Sequence, residues 1–78
     1  MPIKLEQVEN IKTLFGNRIR QLRKARSITQ EDLAYILKTD TRQIGRIENG
    51  EAFVNLKTVT KLANALDVPV KELFDFDE

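Results

Sequence analysis

Seventy-eight residues with no cysteine, no histidine and a net charge of +1 make one small domain with a marginal core, which needs efficient helical packing or oligomerisation. The missing residue types exclude disulfides, thiolate metal sites, the commonest general base and the commonest nitrogen ligand, so neither a metal nor a cofactor is expected. Residues 1–10 hold no secretory signal and no apolar run could cross a membrane, which predicts a cytoplasmic chain with no membrane partner.

The chain is read as an amino-terminal arm or extension of the first helix (1–10), a folded body (11–74) and an acidic tail (75–78). The first helix is predicted from about Val8 or Ile11 to about Lys24. Leu14 or Phe15, Ile19 and Leu22 recur at near-helical spacing and form its buried stripe. Ser27 interrupts the pattern. Thr29 then caps a second helix, its hydroxyl accepting from the amide of Asp32, with Asp in place of Glu making a weak capping box. Leu33, Ala34, Ile36 and Leu37 give that helix its apolar face. Lys38 and Thr39 form a turn, Asp40 caps a third helix, and Asn49 and Gly50 end it, Gly50 in the left-handed conformation. After a short loop Asn55 caps a fourth helix, with Leu56, Val59, Leu62, Ala63 and Leu66 on one apolar face. Pro69 suits the first turn of a short fifth helix ending near Phe74. No strand pattern and no internal repeat occurs.

Charge is polarised along this order. Residues 10–47 carry nine bases and three acids, whereas residues 48–78 carry three bases and seven acids. The amino-terminal half can meet a polyanion and the tail cannot, although a basic helix is also compatible with simple solvation.

The third helix carries the chemistry. At about 100° per residue, Thr41, Arg42, Gly45, Arg46 and Asn49 fall within one arc of roughly 140°. Ile44 and Ile47 lie opposite and must pack inward. Arg42 and Arg46 suit bidentate contact with guanine O6 and N7, and Thr41 can hydrogen-bond or touch a thymine methyl. Gly45 weakens the helix by about 1 kcal/mol relative to alanine; it is either a tolerated weak spot or a gap that lets the helix approach a groove closely. Glu48 falls at the edge of the core face, where a carboxylate wants a partner. Arg23 is the candidate, with solvent exposure of both the alternative. Gln30 sits beside unpaired amides at the start of the second helix, a ready phosphate site, or is a plain exposed glutamine. No arrangement of carboxylates suggests acid–base catalysis, so no enzyme is expected.

The run Thr29-Gln30-Glu31-Asp32-Leu33-Ala34, with Ile44 and Arg46-Ile47-Glu48-Asn49-Gly50, resembles the lambda-repressor-like, Cro-type helix-turn-helix family. Residues 15–23 resemble its first helix, and residues 56–66 and 68–74 its fourth and fifth. The resemblance covers about residues 12–74. It implies an all-α, compact five-helix DNA-binding domain whose second motif helix enters the major groove. It implies base contacts by Thr41, Arg42 and Arg46, and phosphate contacts by Gln30, Gln43, Asn49, Gly50 and Arg20. It also implies a close helix crossing at Ala34 and an ion pair between Arg23 and Glu48. Two departures stand out. Lys38 occupies a turn position usually held by glycine, and the loop Glu51-Ala52-Phe53-Val54 is usually basic.

The expected function is that of a sequence-specific, repressor-type regulator of transcription binding double-stranded DNA as a homodimer. One recognition helix touches too few base pairs alone. Val68, Val70, Leu73, Phe74 and Phe76 crowd the carboxy terminus, and Phe74 and Phe76 are the expected dimer contacts. Control would come from concentration or a protein partner. The rival readings are an antitoxin that binds its own operator and a toxin, and a helix pair kept for protein contact alone.

Overall fold

The computed structural model describes residues 5–76, with side chains from residue 10 onward. Four α-helices follow one another: α1 (Leu5–Ala25), α2 (Gln30–Leu37), α3 (Thr41–Glu48) and α4 (Leu56–Leu66). A 3-10 helix (Val70–Phe74) closes the described chain, and no strand occurs among the described residues. The expected fifth α-helix is therefore this 3-10 segment, with Pro69 as its cap and not its first residue. Five residues are too few for a ladder of i to i−4 bonds, and the tighter i to i−3 pattern takes over. The first helix also begins earlier than its apolar stripe predicts, at Leu5.

Local chemistry sets the helix boundaries. Thr29 accepts from the amide of Asp32 and the Asp32 carboxylate accepts from the amide of Thr29, both at 3.0 Å. The capping box is thus complete despite the shorter acid, and these bonds, the backbone one first, hold the Asp32 carboxyl below its usual range. Asp40 accepts from the amide of Arg42, and Asn55 from that of Thr58. All four α-helices end alike. Ser27, Lys38, Gly50 and Asp67 each take a left-handed φ, and the following amide reaches back five residues, to Arg23, Ala34, Arg46 and Ala63 respectively. This double-bonded ending satisfies carbonyls that the helix leaves open. Only one of the four is glycine.

One core joins the helices: Phe15, Ile19 and Leu22 of α1; Leu33, Ala34 and Leu37 of α2; Ile44 and Ile47 of α3; Val59, Leu62, Ala63 and Leu66 of α4; and Leu73. Phe15, rather than Leu14, is the buried member of that pair. Two expected core residues lie outside. Leu56 is 82% exposed and Ile36 50% exposed. Leu56 opens α4, ahead of the turns that reach the core, and Ile36 flanks the buried face of α2, about 100° around the helix from Leu37. α3 rests on both α1 and α2, while α4 packs on α1, α2 and the 3-10 segment. Gly16 makes the first contact possible. A Cβ there would sit 2.7 Å from the Glu48 carbonyl oxygen and closer still to that of Ile47, so α1 meets the end of α3 backbone to backbone.

Candidate nucleic-acid interface

α3 is eight residues long and buried along one side only. Ile44, Ile47 and Glu48 are buried, while Arg42 and Arg46 are exposed and Thr41, Gln43 and Gly45 are intermediate. The Arg42 side chain is 90% exposed; its 3.7 Å approach to Asp40 is a surface pair of little energetic weight. A Cβ on Gly45 would meet nothing within 4 Å, so no contact within the protein requires glycine there. Asp40, Arg42, Gln43 and Arg46 line one shallow depression. Thr41 lies in a neighbouring open cleft with Lys24, Thr29, Gln30 and Glu31. The expected base-contacting residues therefore share an open surface with the amino end of α2.

Glu48 anchors this surface from beneath. Its side chain is fully buried and accepts four hydrogen bonds: from Arg23 Nε at 2.6 Å, Arg23 Nη2 at 3.1 Å, Gln30 Nε2 at 3.1 Å and Arg20 Nε at 3.3 Å. Burial alone pushes the carboxyl up. The bonds from Arg23 and Gln30, the Arg23 charge and the Arg20 bond together outweigh it, and the carboxyl sits below its usual range. Arg23 also donates to the Ile28 carbonyl at 2.8 Å. One carboxylate thus ties α1, α2 and α3 together.

These bonds redistribute the expected phosphate-binding groups. The Gln30 side chain turns inward onto Glu48, leaving one of its two N–H donors uncommitted. Arg20 binds Glu48 and also donates to Asn49 Oδ1 at 2.7 Å. The backbone amides of Asn49 and Gly50 donate to the Gly45 and Ile47 carbonyls at 2.9 and 3.1 Å. Both amides are engaged in the helix end, while the Asn49 residue itself is exposed. Gly50 has a different duty: φ is +73°, and a Cβ would crowd Thr13 at 2.9–3.2 Å.

Sequence reasoning did not reach Gly16, the Arg20–Asn49 bond, or Arg18, which holds the 3-10 helix through the Glu72 carbonyl at 2.8 Å and its carboxylate at 3.2 Å. A mid-helix glycine was the one available signal for the first; the others join residues 29 and 54 positions apart. At the carboxy terminus Leu73 is fully buried and Phe74 is 43% exposed. Phe74 stands 5.2 Å from Phe15, and Phe76, half-buried, meets it edge-on at 6.2 Å. Lys12 sits over the Phe53 ring at 4.8 Å.

The sequence pattern of the helix-turn-helix family matches residues 19–73. The chain belongs to the helix-turn-helix family. It is similar to the control protein C.BamHI of Bacillus amyloliquefaciens, at 40% identity over 68 residues, 86% of this chain and 84% of that one. Its fold matches the restriction–modification controller protein C.AhdI of Aeromonas hydrophila with a TM-score of 0.81 and 39% identity, covering 85% of this chain and 96% of that one. It also matches the restriction–modification controller protein C.Esp1396I, solved as a tetramer with its natural 35-base-pair operator, with a TM-score of 0.70 and 25% identity, covering 83% and 96% of the two chains. As a member of this helix-turn-helix family, the protein is a DNA-binding regulator of transcription.

Proposed function

We propose that the protein acts in the cytoplasm as a homodimer, reads its operator through the major groove with α3, and controls transcription at a restriction–modification locus. One observation carries the DNA-reading part: α3 is buried only along Ile44, Ile47 and Glu48 and leaves Thr41, Arg42 and Arg46 on an open surface. These three are the proposed base contacts, with Gln30, Gln43 and Asn49 on the flanking phosphates and Arg20 bonded behind Asn49. The control-protein relatives favour this locus over a toxin partner.

The dimer rests on apolar exposure. Ile11, Phe53, Leu56 and Phe74 border one apolar groove, and Val70 is exposed on the same 3-10 helix as Phe74. A small domain rarely leaves so many large apolar side chains in water unless a partner covers them. A two-fold axis would pair this patch with its own copy, with Phe74 at the contact and Phe76 supporting it from beneath. Sedimentation at micromolar concentration, with and without a duplex selected from random DNA, tests the reading. Two copies per duplex and a dimer in its absence are expected. A monomer that binds DNA as a single copy would contradict it.

A further inference from the structure

An arginine guanidinium has five donors and no acceptor. Arg20 donates from Nη2 to Asn49 Oδ1 at 2.7 Å and from Nε to Glu48 Oε1 at 3.3 Å. Glu48 is buried and bound by Arg23, so the Arg20 fork rests on a fixed carboxylate. A donor-only partner determines which way the Asn49 amide points. Its oxygen is committed to Arg20, and its NH2 group therefore faces away from Arg20 as a pair of donors.

That orientation matters because of where Asn49 sits. It caps the carboxy end of α3 and is exposed. The last carbonyls of a helix gather negative partial charge there, an unfavourable place for a phosphate. An unrestrained amide would offer oxygen as readily as nitrogen, and the oxygen would repel the backbone. We propose that Arg20 is a positioning residue for DNA binding: by holding Oδ1 of Asn49 it keeps the amide donors turned outward to a backbone phosphate at the end of α3. This rests on the DNA-reading role of α3. Arg20 also contributes charge, and the experiment separates the two effects.

The probe is a random-sequence DNA duplex at fixed salt, since phosphate contacts do not depend on base sequence. Fluorescence anisotropy compares the full chain with Arg20→Lys, Asn49→Ala, the double variant and Asn49→Asp, with thermal melting as the control for folding. Asn49→Ala should weaken binding about threefold to tenfold, the range of one hydrogen bond. Arg20→Lys keeps the charge but loses the fork and should weaken binding by a similar factor. The double variant should lie within about twofold of either single one, because both remove the same contact. Asn49→Asp leaves the Arg20–Glu48 bond intact while turning an oxygen outward, and should weaken binding by more than about tenfold. In the DNA-free protein, the two Asn49 side-chain N–H resonances should be distinct from those of a solvent-averaged asparagine and move toward them in Arg20→Lys. Full binding by Arg20→Lys, additive losses in the double variant, or wild-type binding by Asn49→Asp would each overturn the positioning role. Failure of the wild-type chain to bind any duplex would instead overturn the DNA-reading role beneath it.

Discussion

Glu48→Leu removes the acceptor at the centre of the fold while keeping the side chain's bulk, so a cavity contributes little. The wild-type carboxylate accepts from Arg23 twice and from Gln30 and Arg20 once each. Arg20 is about one-third exposed and can rehydrate. Arg23 is only 8% exposed and keeps only its bond to the Ile28 carbonyl. A stranded buried charge costs roughly 3–5 kcal/mol, and the surviving carbonyl bond places this case near 3 kcal/mol. For a domain of this size that lowers the melting temperature by roughly 12–24 °C, measured by circular dichroism at pH 7. Arg23→Met added to Glu48→Leu should recover most of the loss, because an apolar pair replaces the ionic one. The pH dependence follows from the same carboxyl. Its folded pKa lies below its ordinary value of 4.5, so its stabilisation is complete above that value and is lost as pH falls through the folded pKa. The gap between wild type and Glu48→Leu should narrow below about pH 4.5. A melting temperature within about 3 °C of wild type, or a gap constant from pH 7 to pH 3, would refute the buried hub.

Three further substitutions test local features. Gly16→Ala drives a Cβ into the Ile47 and Glu48 carbonyls and should destabilise by about 1–3 kcal/mol in urea unfolding; a neutral result would deny the close approach of α1 to α3. Lys38→Gly relieves a left-handed φ of 57° and should stabilise by about 1 kcal/mol, whereas a loss would mean that the lysine side chain matters more than its backbone strain. Gly45→Ala meets no protein atom and should raise stability by about 1 kcal/mol through helix propensity, yet weaken DNA binding if the helix lies close in the groove. Unchanged DNA affinity would make Gly45 only a weak spot.

What could be read from the sequence was what neighbouring residues decide. Thr29, Asp40 and Asn55 bond amides two or three positions ahead, and Gly50 answers a local demand for positive φ. The wheel of α3 separated Ile44 and Ile47 from Arg42 and Arg46 because one helical period governs both faces. Glu48 could be placed at the core edge with Arg23 as its candidate partner, but the two further donors, from Gln30 and Arg20, could not be read. The engagement of the Asn49 and Gly50 amides depends on how the helix end closes, and the Arg20–Asn49 bond on how α1 lies against it. Leu56 and Ile36 show the opposite failure. Their periodicity predicts burial, but both stay exposed, with no layer of the described residues over them.

Selection of bound sequences from random duplex DNA, run in parallel on the wild-type chain, Arg42→Ala and Arg46→Ala, tests the central claim most directly. If α3 reads bases as a dimer, the wild type should enrich two inverted half-sites about 34 Å apart, one turn of DNA. Each arginine variant should then lose preference at one position per half-site, at about 1–3 kcal/mol, while retaining the others. No enriched motif, or an unchanged motif bound uniformly more weakly by both variants, would contradict it.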